Sequence, residues 1–131
     1  VPDDAGPSSG ARILVVDDEP HIRRVVEVVL GKEGFDVVAA SEGTEGLHIL
    51  SQQRIDLVIL DLLMPGSSGL EVLAKIRTTP ATERMPVIIL TAKGQDADRE
   101  AALAGGANDF MTKPFSPKKL VSRIREILGA R

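Results

Sequence analysis

The sequence predicts an α/β domain of five strand–helix units, (βα)5, arranged as a doubly wound five-stranded parallel sheet. Three observations lead there. Ile13-Leu14-Val15-Val16, Leu57-Val58-Ile59-Leu60 and Val87-Ile88-Ile89-Leu90 are short, wholly apolar and largely β-branched, as suits strands buried on both faces of a parallel sheet. Segments with apolar residues at three- and four-residue spacing separate them, the period of a helix packed by one face. These runs and the shorter Phe110-Met111-Thr112 also stop at Asp17-Asp18, Asp61, Thr91 and Lys113, so reactive side chains collect where the strands end.

Taken in order, residues 1–10 (VPDDAGPSSG) are rich in Pro, Gly, Ser and Asp and are expected to be a disordered lead-in to one domain over 11–131. The first strand (12–16) gives way to Pro20, which suits the first turn of a helix. Ile22, Val25, Val26, Val29 and Leu30 then recur at helical spacing until Gly34. A second strand is expected from Phe35 to Ala40 and a second helix from about Thr44 to Gln52. The third strand (55–60) leads through Met64-Pro65-Gly66 to a third helix, where Ser68 and Glu71 have capping-box spacing ahead of Leu70, Leu73 and Ile76. After the fourth strand (87–90) comes a helix over about 96–104. It is Ala-rich with few large apolar residues, so it should be the least firmly docked. A fifth strand covers about 108–112, and a last helix starts at Ser116-Pro117, with Leu120, Val121, Ile124, Ile127 and Leu128 inward. Right-handed crossovers and short connections leave few topologies, of which strand order 2-1-3-4-5 is favoured.

Composition narrows the function. The 131 residues suit a single core. A net charge of −3 and 2% aromatic content, with no Trp or Tyr, argue against direct nucleic-acid binding by this domain. Without cysteine there are no disulfides or thiolate metal sites. No apolar run approaches the ~20 residues that span a bilayer, and the polar, acidic start does not resemble a signal peptide. The expectation is a cytoplasmic domain with no membrane association.

In the favoured order the first and third strands are neighbours where the winding reverses. Asp17, Asp18 and Asp61 then meet in the crevice beyond the strands' carboxyl ends, where open α/β sheets bind ligands. Two carboxylates ~4 Å apart repel by roughly 4 kcal/mol at an effective dielectric of about 20. Either one is protonated or a cation sits there. An all-oxygen set, with no His or Cys in the motif, points to Mg²⁺, with Mn²⁺ as the alternative. Lys113 and Thr91 add a positive charge and a donor, which together suit a phosphoryl group in transfer. Asp61, at the end of the central strand, is the best placed nucleophile. Each residue alone has a plainer reading: Asp17-Asp18-Glu19 as acids at a helix N-terminus, Asp61 as turn chemistry, Thr91 as a cap, Lys113-Pro114 as a loop. Their joint appearance on correctly ordered strand ends favours the functional one. His21 and His48 are expected on solvated helix faces, and Met64 and Phe115 in packing roles.

The segments ILVVDDEP, LVILDLLMPGSSGLEVL, VIILTA and GANDFMTKPF resemble the receiver domain of two-component response regulators, over about residues 12–128. The resemblance implies the flavodoxin-like, chemotaxis-regulator-like fold. The strand order above is that family's own, so the two are not independent. It further implies that Asp61 accepts a phosphoryl group from the phosphohistidine of a histidine kinase or phosphotransfer protein. Asp18, Asp61 and the Leu63 backbone carbonyl would bind Mg²⁺ directly, and Asp17 through water. Lys113 would contact the phosphoryl group and precede a cis peptide to Pro114. Thr91 would move toward the phosphoryl oxygens and Phe110, the switch aromatic, would turn inward. The face formed by the fourth helix, fifth strand and fifth helix would then change shape and control an output domain or partner protein. Such a domain is not an enzyme in the ordinary sense, since it catalyses only its own aspartyl phosphorylation and dephosphorylation. The first helix, with His21, Arg23, Arg24 and Glu27, is the expected kinase-docking surface.

Departures from the family pattern add detail. Phe110 replaces the commoner Tyr. Leu63 and Lys93 stand at the variable positions that tune dephosphorylation, and Leu63 offers nothing to align a water. Asp109 and Arg123 match one pair of a phosphorylation-dependent homodimer, but Lys119 places a like charge opposite Arg99, and Asn108 replaces a usual acid. Other readings are weaker. A haloacid-dehalogenase-type phosphatase needs a second acid where Leu63 stands. A flavodoxin-like electron carrier would not place Asp17-Asp18-Glu19 against a cofactor phosphate. A degenerate docking module would lack one of the key residues.

Overall fold

In the computed structural model, the described residues are 10–64, 66 and 68–129. The expected lead-in therefore falls, apart from Gly10, outside them. Strands and helices alternate along the described residues. They are β1 (Arg12–Val16), α1 (Pro20–Lys32), β2 (Asp36–Ala40), α2 (Gly43–Gln52), β3 (Leu57–Leu60), α3 (Gly69–Thr78), β4 (Val87–Thr91), α4 (Asp96–Ala104), β5 (Asp109–Thr112) and α5 (Pro117–Gly129). The sheet has the order β2-β1-β3-β4-β5, and every pairing is parallel. No helix among the described residues is long and apolar enough to cross a membrane.

The sheet divides the core in two, because successive strand residues point to opposite faces. Leu14, Val16, Val58, Leu60, Val87 and Ile89 pack on one side with Val72, Leu73 and Ile76 of α3. On the other, Ile13, Val15, Leu57, Ile59, Ile88 and Leu90 meet Val26 and Leu30 of α1 and Leu120 and Ile124 of α5. β3 is buried at all four positions and β4 at all five, which explains their unbroken apolar runs.

Helix boundaries follow local chemistry. Ser68 caps α3: its hydroxyl accepts from Glu71 N while the Glu71 carboxylate accepts from Ser68 N, the reciprocal box expected. Only Ala102 of α4 is buried, so that helix is thinly attached as its composition implies. β3 starts at Leu57, two residues later than expected. The reason lies in Asp56, whose carboxylate accepts from Arg12 N at 2.8 Å, so a side chain takes the place of a backbone partner where β1 and β3 begin. One glycine requirement bears directly on the site. A Cβ on Gly69 would strike the Asp61 carbonyl oxygen and lie 2.7 Å from Leu62 Cα, so only glycine lets α3 begin against the Asp61 loop.

Candidate functional site

β1 and β3 run level, with Val16 opposite Leu60, so Asp17 and Asp61 leave the sheet side by side. Each is held by the neighbouring strand: Asp61 N donates to Val16 O and Asp17 N to Ala40 O, both at 3.1 Å. Lys113 arrives from beyond β5. Its backbone N donates to Thr91 O at 2.9 Å, and its peptide bond to Pro114 is cis. The ammonium then sits among three carboxylates, 2.8 Å from Asp17 Oδ2, 2.9 Å from Asp61 Oδ2 and 2.6 Å from Glu19 Oε1. Asp17 and Asp61 are each 3% exposed at the side chain and Lys113 9%, whereas Glu19 is 56% exposed.

This arrangement sets the local electrostatics. Burial raises the Asp17 pKa, the nearby Asp61 charge adds to the rise, and hydrogen bonds from Lys113 and Glu19 N offset part of it. For Lys113 burial alone would lower the pKa, but hydrogen bonds to Asp17, Glu19 and Asp61 outweigh it and push the value upward. The ammonium therefore stays charged and neutralises an otherwise repulsive acid cluster. Carboxylate oxygens of Asp17, Glu19 and Asp61 all lie within 4.8 Å of one another. An all-oxygen, anionic set of this size fits a hard divalent cation.

The remaining candidates are placed as follows. Asp18 is exposed and is not among the carboxylates paired with Lys113. Leu63 N donates to Asp61 Oδ1 at 3.0 Å, which fixes the carboxylate, while the Leu63 side chain is 48% exposed. Thr91 is fully buried at the end of β4, and its hydroxyl accepts from Lys93 N at 3.1 Å. Phe110 lies level with Ile89 and is already buried at 5% exposure, with the Arg99 guanidinium 5.8 Å above its ring. Asp109 pairs with Arg123 inside the chain at 2.7 Å. Asn108 Oδ1 accepts from Val87 N and from Arg77 Nη2, giving this amide a bracing role between β4 and α3. On α1, His21 and Arg24 are exposed, but Arg23 donates to Asp17 O at 2.7 Å and is thereby tied to the site. Glu19 is the site residue that the sequence reading did not single out. Its only sequence signal was an acid at a helix start, just before Pro20, where a capping side chain would be ordinary.

A buried aspartate at the end of a central parallel strand, bonded to a lysine and flanked by acids, defines an acidic, cation-ready crevice on a doubly wound sheet. Residues 13–125 match the response regulator receiver domain model, and the chain belongs to that family. It is 43% identical over 117 residues to the phosphate regulon transcriptional regulatory protein PhoB of Klebsiella pneumoniae, covering 89% of this chain and 51% of that protein. It is 42% identical over 114 residues to the DNA-binding response regulator MtrA of Mycolicibacterium smegmatis, covering 87% and 49%. The chain thus spans about half the length of these curated relatives. Among solved structures, a response regulator receiver domain protein from Clostridium thermocellum superposes with a TM-score of 0.84 at 36% identity, covering 92% of this chain and 95% of that one. The Vibrio cholerae chemotaxis protein CheY4 superposes at 0.85 with 29% identity, covering 91% and 99%. The chain is therefore a receiver domain of the two-component type.

Proposed function

We propose that Asp61 is the phosphoacceptor of this receiver. The observation that carries it is the Asp61 carboxylate, buried at the end of β3 and held by Lys113 Nζ at 2.9 Å and Leu63 N at 3.0 Å. An Asp61 oxygen attacks the phosphorus of a phosphohistidine, the P–N bond breaks, and the imidazole leaves with the electron pair. Lys113 donates to the phosphoryl oxygens and offsets their charge as they cross. Asp17, Asp18, Asp61 and the Leu63 carbonyl are the groups that would hold Mg²⁺, which supplies further neutralisation of the transferring group. The domain catalyses no other turnover in this reading, and its donor is a histidine kinase or phosphotransfer protein.

The phosphoryl group adds charge and acceptor oxygens where Asp61 was. Thr91 exchanges its bond with Lys93 N for one to the phosphoryl oxygen and draws the β4–α4 connection with it. Phe110, buried under Arg99, keeps the space below β4 filled, and the α4–β5–α5 face settles into its second arrangement. A helix docked through little more than Ala102 makes that population shift inexpensive in free energy. The face then controls an output domain or downstream protein.

The test is intact mass after incubation with a small phosphoryl donor and Mg²⁺. One phosphate on wild type and none on Asp61→Ala is the expected result. An adduct on Asp61→Ala would move the phosphoacceptor to another residue, and no adduct with no beryllofluoride binding on wild type would overturn the assignment in favour of a docking module.

A further inference from the structure

We propose that Glu19 is a positioning residue for phosphoryl transfer, one that occupies the Lys113 ammonium between reactions and must let go before transfer. The inference rests on the reading of Asp61 as phosphoacceptor. Its core is a count of donors. A lysine ammonium has three N–H groups and accepts nothing. Here Lys113 has three carboxylate partners, Asp17, Glu19 and Asp61, at 2.6–2.9 Å. Glu19 and Asp61 accept hydrogen bonds from it and Asp17 is an ion pair at 2.8 Å, so an incoming phosphoryl oxygen must compete with carboxylates for the ammonium.

One of the three contacts must open, and burial decides which. Asp17 and Asp61 are each 3% exposed at the side chain, so withdrawing the ammonium from either would strand a buried charge. Glu19, at 56% exposed, returns to water at little cost. The backbone beneath it is anchored, since Glu19 N donates to Asp17 Oδ1 at 2.9 Å. A fixed backbone with a solvated side chain is the geometry of an arm that can swing while its base stays in place.

The start of α1 gives independent support. Glu19 occupies the N-cap, where Ser, Thr, Asp or Asn would accept a helix N–H, yet its side chain makes no cap hydrogen bond. The carboxylate reaches instead to a lysine 94 positions away in the chain. The helix forgoes a side-chain cap and begins on Pro20.

The experiment uses the full chain and compares wild type with Glu19→Ala and Glu19→Gln. In metal-free buffer, NMR of the Lys113 side-chain ammonium reads its hydrogen exchange. At saturating Mg²⁺, intact mass reads the rate of Asp61 adduct formation from acetyl phosphate and the rate of its decay. Release of a half-exposed ion pair predicts about two- to fivefold faster ammonium exchange and about two- to fivefold faster adduct formation in Glu19→Ala. Glu19→Gln, which keeps an acceptor without charge, should fall between. Decay should be unchanged, because Glu19 is already released in the phosphorylated protein. Unchanged or slower adduct formation at saturating Mg²⁺ would overturn the proposal. So would a slowing at sub-saturating Mg²⁺ that saturating Mg²⁺ cures, since that marks Glu19 as a metal ligand. Asp61→Ala separates the two levels: an adduct persisting there sinks the phosphoacceptor reading, whereas its loss there without acceleration in Glu19→Ala sinks the Glu19 proposal alone.

Discussion

Replacing Lys113 by methionine preserves much of the apolar stem but removes the ammonium from the acid cluster. Asp17, Glu19 and Asp61 would then face one another with oxygens within 4.8 Å. At an effective dielectric of about 20, one such pair of charges repels by about 3.5 kcal/mol. Breaking a buried pair by deleting one partner usually costs ~3–5 kcal/mol. Protonation of Asp17, whose pKa burial already raises, limits the cost. We expect a loss of about 3 kcal/mol in chelator at neutral pH. Urea unfolding would register it as a midpoint roughly 1.5 M lower, for a slope of about 2 kcal/mol per M. Mg²⁺ should restore more stability to the variant than to wild type, because the metal no longer competes with an ammonium for the same oxygens. A saturating ligand at ~100 times its Kd contributes about 2.7 kcal/mol, well within reach of the assay. A loss within the ~0.5 kcal/mol of an ordinary surface substitution, or equal Mg²⁺ increments in both proteins, would refute the reasoning.

Gly69→Ala should destabilise the fold by ~1–3 kcal/mol through overpacking against the Asp61 backbone and slow adduct formation, read by urea unfolding and intact mass. Asn108→Ala leaves Val87 N without its side-chain acceptor and should cost ~1–3 kcal/mol by the same unfolding assay. Asp17→Asn should gain stability relative to wild type as pH rises from about 4 to 7 in chelator. The sign follows because the raised Asp17 pKa makes the folded state bind more protons than the unfolded one in that window, so wild type loses stability there. Lys113 contributes with the same sign but at higher pH, its stabilisation intact up to ordinary lysine pKa values and lost only as pH climbs through its raised folded value. Leu63→Asn should shorten the phosphoryl lifetime by offering a group to align water, and an unchanged decay measured by mass would count against that role for an exposed side chain.

Much of this was legible because burial leaves a mark on composition. β3 and β4 are covered on both faces, so all their residues but the terminal Thr91 are apolar and their runs were plain. The capping box at Ser68 and Glu71 declared where α3 begins. Boundaries blurred where side chains stand in for backbone partners, as Asp56 does before β3. Asp17, Asp61 and Lys113 could be brought together from strand order alone, since each follows a strand end. Glu19 could not. It follows the same strand as Asp17, but its part is set by a contact with a residue on the far side of the chain, and periodicity carries no trace of such a pairing. The burial of Phe110 under Arg99 is similarly a matter of which helix lies above the ring, not of the strand that bears it.

The partition of the core by the sheet has a consequence for how this domain can diversify. Phe110, Ala102 and α3 share one apolar compartment, whereas α1 and α5 share the other, and the strands send alternate side chains into each. Substitutions confined to opposite compartments touch no common partner, so their effects on stability should add. Residues that pack the α1 side can change without retuning the packing around Phe110. Only the acid–lysine cluster, at the rim where both compartments end, is answerable to the two at once.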